Sequence, residues 1–158
     1  MKTRLFVTLG LVFFMAISCG KKPDTTKEDA GKAMLSMMHS YIDAIRELNY
    51  DKTVAHFLNS PDFFFCSDGQ ISTYDNLLKQ VSDLYKNLQR YQGDWDTINI
   101  RVLNPEVVAA LAPFHEIYTD KSGDETRIKG EVTWVAVRKN GEWKFAYAHA
   151  TSKPDALP

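Results

Sequence analysis

Two runs, Arg127-Ile128-Lys129-Gly130-Glu131-Val132-Thr133-Trp134-Val135-Ala136-Val137-Arg138 and Glu142-Trp143-Lys144-Phe145-Ala146-Tyr147-Ala148-His149-Ala150-Thr151, joined through Asn140-Gly141, decide the fold of this chain. Asn-Gly supplies the positive φ values of a tight hairpin turn, and the flanking runs are rich in the Val, Thr, Trp, Phe and Tyr that pack on a pleated surface. The expected element is a β-hairpin. In its second arm Trp143, Phe145, Tyr147, His149 and Thr151 alternate with Lys144, Ala146, Ala148 and Ala150, so an unbroken strand carries every bulky group on one face. A two- or four-residue loop sets Arg138 opposite Trp143 and Trp134 opposite Tyr147; a three-residue loop with a bulge swaps that register. The bulky face needs a cover, and whether that cover leaves a hollow is the functional question.

Outward from the hairpin, strand patterns run back through Val107–Tyr118 and Asp94–Leu103, with turns at Asp120–Asp124 and Asn104-Pro105. Before them Leu77, Leu78, Val81, Leu84, Tyr85 and Leu88 recur at helical spacing, which predicts a helix over 73–90 closed near Gly93. Asp62–Ser67, Asp68-Gly69 and Gln70-Ile71 read as a small hairpin. Tyr50–Leu58 reads as a short helix stopped by Asn59-Ser60-Pro61. A longer helix precedes it, with Met34, Met37, Met38, Tyr41, Ile42 and Ile45 on one face and a capping box from either Thr25 with Glu28 or Thr26 with Asp29. Helix, helix, hairpin, helix and four strands predict an α+β domain over 27–152, an antiparallel meander with three helices on one face, then a loose tail at 153–158.

The first residues read differently. Lys2 and Arg4 precede an apolar run from Leu5 to Ile17, which suits a secretory signal better than a membrane span. Ala16-Ile17-Ser18-Cys19 resembles the lipobox of bacterial lipoproteins, which implies removal of residues 1–18, lipid on Cys19 and a tether over 19–26; a plain signal peptide is the alternative. The implied location is the bacterial cell envelope, lipid-anchored on the periplasmic or outer-membrane face. Removal of residues 1–18 leaves 17 basic against 20 acidic side chains, a formal charge of −3. No basic cluster offers a grip on phosphates, so no nucleic-acid partner is expected. Cys66 is then left without an internal disulfide partner and reads as a small buried hydrophobe, a nucleophilic role lacking any adjacent positive group.

The opening Tyr41-Ile42-Asp43-Ala44, Tyr50-Asp51 and Val54, with the closing Gly141-Glu142-Trp143-Lys144-Phe145-Ala146-Tyr147-Ala148-His149, resembles the nuclear transport factor 2-like superfamily, with its ketosteroid isomerase-like and SnoaL-like domains. The resemblance implies a cone-shaped, cystatin-like α+β barrel whose curled sheet encloses a cavity against the helices, frequently dimeric through the sheet. It does not imply one chemistry. Tyr41 stands where an isomerase has its hydrogen-bonding tyrosine, but Phe65 stands where the general-base aspartate would be. Asp62 has the wrong parity to replace it from the same strand face.

His149 matches a recurrent histidine of the closing motif and reads either as an acid–base group or as part of the barrel wall. His115, His39 and His56 read as surface or boundary residues. Trp95, Phe114, Tyr118, Trp134 and Tyr147 are candidates to line a pocket, with Tyr41, Glu116 or His149 orienting the ligand; a filled core is the alternative. No metal site or cofactor is expected. The expected function is binding of a small, largely apolar or aromatic ligand without catalysis. Alternatives are an isomerase- or dehydratase-type enzyme using His149 and Tyr41, and a homodimerisation or protein-interaction module through the outer sheet face, including Val108, Ala110 and Ala112 or their neighbours.

Overall fold

Thr26 caps the first helix, and of the two capping boxes that the spacing allows, the Thr26–Asp29 pair forms. The Thr26 hydroxyl accepts from the Asp29 amide at 3.1 Å and the Asp29 carboxylate accepts from the Thr26 amide at 3.3 Å. The computed structural model describes residues 26–155. The expected signal segment, Cys19 with its expected lipid, the expected tether up to residue 25 and the last three residues of the expected tail lie outside the described residues. Helix α1 (Lys27–Arg46) buries Ala30, Met34, Met37, Met38, Tyr41, Ile42 and Ala44, the stripe expected from their three- and four-residue spacing. Helix α2 (Tyr50–Val54), capped by Asn49, is shorter than the run to Leu58 suggests. Tertiary pairing ends it: Phe57 bridges Phe145, and His56 and Leu58 exchange backbone hydrogen bonds of 2.8 Å with Phe145.

Strands β1 (Phe64–Ser67) and β2 (Gln70–Thr73) form the small hairpin, turning through Asp68 and Gly69 at φ 48° and 81°. Helix α3 (Tyr74–Asn87) stops three residues before the expected Arg90. Leu88 instead opens β3 (Leu88–Trp95), because Tyr91 to Trp95 pair with β5 and offer Tyr91, Gly93 and Trp95 to one face. The single strand expected at 94–103 is thus two strands, β3 and β4 (Asn99–Asn104), lying end to end along the same edge of β5 (Val107–Asp120). Strands β6 (Glu125–Lys139) and β7 (Glu142–Pro154) complete the meander, and β7 takes up the first residues of the expected tail.

The order β2-β1-β7-β6-β5-β3 makes a curled mixed sheet with the helices on its concave side. This is the cone-shaped α+β architecture expected from the sequence, with one addition: β1 runs parallel to β7 and brings the small hairpin into the sheet. Val108, Ala110 and Ala112 do not face outward. They are at most 1% exposed and pack in the core with Met34, Met38 and Phe145, leaving Ala109 and the 40%-exposed Leu111 on the outer face.

The terminal hairpin turns through Asn140 and Gly141 at φ 55° and 88°, a two-residue loop that sets Arg138 opposite Trp143 as expected. The expected pairing of Trp134 with Tyr147 does not form. Val135 pairs with Tyr147 and Ala136 with Phe145, so Ala146 is an extra residue in β7 and Trp134 meets Ala148. One extra residue reverses the alternation beyond it. Phe145 faces the core at 0% exposure, but from there onward Ala148 and Ala150 point inward while His149 and Thr151 are exposed.

Opposite Phe114 on β6 stands Gly130, and a Cβ there would lie 2.0 Å from the Thr151 carbonyl oxygen and 2.8 Å from Phe114 Cζ. The bare backbone lets the Phe114 ring lie across the neighbouring strand. Gly130→Ala is therefore expected to destabilise the domain by about 1–3 kcal/mol through overpacking; an unchanged urea-denaturation midpoint would refute this reading of the contact.

Candidate functional site

The reversed alternation in β7 has a spatial consequence. Ala148 is completely buried opposite Trp134, whose ring is tilted against Phe145 with centroids 4.2 Å apart, while Ala150 and Ser152 line open space. Across that space α3 directs Leu77, Val81 and Tyr85 toward the sheet, and of its residues Leu77 alone is fully buried. The result is a cavity of about 270 Å³ between α3, α1 and the concave sheet face. Ligand cavities run from roughly 300 to 1,000 Å³, so the space suits a molecule of one or two rings.

Its walls are aromatic. Tyr41, projecting from α1, makes edge-to-face contacts with Trp134 at 5.2 Å, Phe145 at 5.3 Å and Trp95 at 6.1 Å. Trp95 in turn lies 6.3 Å from Phe114, and Phe65 stacks on Trp134 at 6.0 Å. Such pairs add about 0.5–1.5 kcal/mol each beyond burial, which fixes the ring positions around the void.

One end of the cavity is polar. Phe114, Glu116 and Tyr118 share a face of β5 by their two-residue spacing, and across the ladder stand Trp95, Gly93 and Tyr91 respectively. Glu116 is only 8% exposed. Tyr91 Oη donates to Glu116 Oε1 at 2.6 Å, and the Tyr118 hydroxyl donates to Oε2. Trp95 Nε1 donates to Tyr91 Oη at 3.4 Å. Gly93 makes this possible, because a Cβ there would lie 2.2 Å from Tyr91 Oη. Its absence lets the Tyr91 ring fold over Gly93 toward the carboxyl opposite.

Burial pushes the Glu116 carboxyl above the usual carboxylate range, and the hydrogen bonds from Tyr118 and Tyr91, with the Trp95 indole N–H behind them, draw it part of the way back. Burial and the neighbouring Glu116 charge raise both tyrosines far above the ordinary phenol value, so their hydroxyls stay protonated as donors. Tyr41 is raised as well, by burial first and then by Tyr85 and Glu116. Elsewhere in the wall Thr53 and Tyr85 are hydrogen-bonded at 2.9 Å.

Of the residues singled out from the sequence, Tyr41, Trp95, Phe114, Glu116, Tyr118 and Trp134 line one cavity. Tyr147 and His149 do not. The extra residue at Ala146 turns Tyr147 outward, where its ring meets Phe64 at 4.8 Å, and leaves His149 exposed beside Cys66 of β1. Phe65 lines the cavity at the position where an isomerase would carry its aspartate, and Asp62 is exposed. His115 is exposed and 3.2 Å from Asp155, His39 is exposed, and His56 is hydrogen-bonded to the Lys52 carbonyl and to Ser40. Cys66 is half-buried on the outer side of β1. Among the described residues no cluster of three His, Cys, Asp or Glu side chains could hold a metal ion.

Sequence reasoning missed Tyr91, Leu77, Val81, Tyr85, Ala150 and Ser152 as wall residues. Tyr91 carried a usable signal: Tyr91, Gly93 and Trp95 alternate with Arg90, Gln92 and Asp94, a strand pattern overshadowed by the helical run before it. The inward position of Ala150 carried none, because it depends on an extra residue that the alternation itself does not reveal.

The curled sheet, the three helices and the cavity between them define a domain of the nuclear transport factor 2-like type. A superfamily protein of that name from Salmonella enterica serovar Typhimurium superposes with a TM-score of 0.72 over 84% of this chain and 95% of its own, at 14% identity. The hexachlorocyclohexane dehydrochlorinase LinA-type3 from Novosphingobium barchaimii superposes at 0.65 over 79% and 89%, at 11% identity. Both likenesses establish the fold alone. The SnoaL-like domain family matches residues 34–154, and the chain belongs to that family. A curated relative, an odorant-binding protein from Bos taurus, is 30% identical over 77 residues, which are 48% of this chain; the chain spans about half that relative's length, 47%.

Since burial raises Glu116 in the folded chain, its charge opposes folding. The opposition is absent below the carboxyl's unfolded value and complete above its raised folded one. Glu116→Gln is therefore expected to become more stable relative to wild type as pH rises through that interval. Thermal unfolding of both proteins from about pH 4 to pH 9 measures the difference; a difference that is flat or reversed would show that Glu116 is not held as described.

Proposed function

We propose that this domain holds a small, largely apolar molecule in the cavity beneath α3, with Glu116 and its two tyrosines as the orienting end, and does not turn it over. The observation that carries this reading is the combination of an aromatic wall with an unfilled interior, left where β7 presents Ala150 and Ser152 in place of bulky side chains. Folding ordinarily closes such space, since interiors pack at crystal-like density. The bovine relative, by its name an odorant-binding protein, supports the same class over the part of the chain that it matches.

The enzymatic reading loses one of its two groups. His149 lies on the face of β7 opposite the cavity, so it and Tyr41 do not meet around one ligand. Turnover, if sought, would rest on Glu116 as the proton-transfer group.

Titration with the neutral two-ring fluorophore 6-propionyl-2-(dimethylamino)naphthalene tests the binding reading. Saturable, blue-shifted emission is expected from wild type, and at least a tenfold loss of affinity, about 1.4 kcal/mol, from Ala150→Phe, whose ring occupies the cavity. Absence of saturable binding to wild type, or full binding by a folded Ala150→Phe protein, would overturn it.

We further propose that the domain is carried on the bacterial envelope by lipid on Cys19, as the Ala-Ile-Ser-Cys segment suggests. Metabolic labelling with an alkynyl fatty acid should mark the wild-type chain and leave Cys19→Ser unmarked; equal labelling of both, or of neither, would exclude lipidation at this residue.

A further inference from the structure

The polar end of the cavity is one-sided in its chemistry. Among the described residues Glu116 is the single charged side chain in the lining of the cavity beneath α3, and no Lys, Arg or His accompanies it in that lining. Among the described residues it forms no ion pair with any group. A more open hollow at the β3–β5 edge, which Glu116 and Tyr91 also line, contains Arg46, Arg127 and His115 together with Asp94 and Asp155. Those cations are engaged: Arg46 with the Gly93 carbonyl and Asp43, Arg127 with Glu125, His115 with Asp155.

What Glu116 has is donors. Each carboxylate oxygen accepts one phenolic hydrogen bond, from Tyr91 or Tyr118. An ionised carboxyl has about four lone-pair sites, so about two remain for hydrogen bonds from a guest. The two tyrosines hold the group as an acceptor but leave its charge without a counter-charge, which is the costly state for a buried ion. The rings of Trp95, Tyr41 and Phe114 line the same cavity. A carboxylate among aromatic rings favours a positive guest twice over, by charge-assisted hydrogen bonds and by attraction to the ring faces. The same arrangement repels a carboxylate or phosphate guest and gives a neutral hydroxyl only an ordinary hydrogen bond.

We infer that the cavity selects an amphiphilic cation, a protonated amine on a one- or two-ring apolar body, with its nitrogen at Glu116 and its rings between Trp95, Phe114 and Trp134. This rests on the binding function proposed above and names the class of ligand.

The experiment displaces 6-propionyl-2-(dimethylamino)naphthalene from the protein at pH 7 with three molecules of matched shape: 2-phenylethylamine, 2-phenylethanol and 3-phenylpropanoate. Charge-assisted bonding at a buried site predicts displacement by the amine at about tenfold or more lower concentration than by the alcohol, with the acid weakest. In Glu116→Gln the amine-to-alcohol ratio should fall to about one, a ratio that can be read whatever the absolute affinity of the variant. Equal displacement by amine and alcohol in wild type overturns the inference, as does displacement by none of the three from a protein that binds the fluorophore. An amine preference that survives in folded Glu116→Gln overturns it too. If Glu116→Gln does not fold, the wild-type ranking of the three molecules decides alone. Failure of the fluorophore to bind at all counts instead against the cavity as a binding site, so the two readings fail separately.

Discussion

One extra residue in β7 determines what this domain contains. The hairpin loop at Asn140-Gly141 starts the β6–β7 ladder in the register its sequence dictates, and that register holds from Lys139–Glu142 to Ala136–Phe145. Ala146 then interrupts it. Up to that point the strand fills the core with Phe145, and beyond it the inward positions fall to Ala148, Ala150 and Ser152. Without the interruption Tyr147, His149 and Thr151 would point into the same volume. The bulge therefore separates a packed half of the cone, where Tyr41, Phe57, Trp134 and Phe145 interlock, from a hollow half lined by α3 and by Phe65 and Ser67 of β1. Bulges are often found where a sheet must redirect a side chain, and here one clears space.

The hollow half is supported by close approaches elsewhere in the sheet. Gly130 lets Phe114 lie over β6, and Gly93 lets Tyr91 fold toward Glu116. Both glycines stand directly opposite a cavity residue, Gly130 across from Phe114 and Gly93 across from Glu116. Each removes a side chain where a neighbouring ring needs the room. The aromatic walls are thus held by backbone contact as well as by ring-on-ring packing, and the rings have little freedom to collapse into the void.

The sequence made the fold legible because its strongest local signals agreed with one another. The Asn-Gly turn, the stripe on α1 and the run of strands after Gly93 all pointed to one α+β cone, and local agreement of that kind marks a sequence that specifies a single structure. Boundaries failed where tertiary pairing outweighed local pattern: α3 gave up Leu88–Arg90 to β5, and Phe57 left α2 to meet Phe145. The site was half legible. Phe114, Glu116 and Tyr118 declare a common face by spacing alone. His149 misled because period-two reasoning carries no mark for an inserted residue, so a single Ala reversed the face assigned to everything after it. Tyr91 was hidden by the helix that ends just before it.

The position of Glu116 then becomes intelligible. A carboxyl at that site costs stability, and Leu or Gln of similar size would pack there without a charge. Yet the surroundings are built to keep it: a glycine opposite, a tyrosine folded back over that glycine, a second tyrosine two residues along the same strand, and an indole N–H behind the first hydroxyl. Strained or costly groups at the end of a cavity are expected where binding relieves the cost. A guest that brings a positive charge to Glu116 supplies the partner that the protein itself withholds, which makes the aromatic cavity and the uncompensated carboxyl two parts of one arrangement.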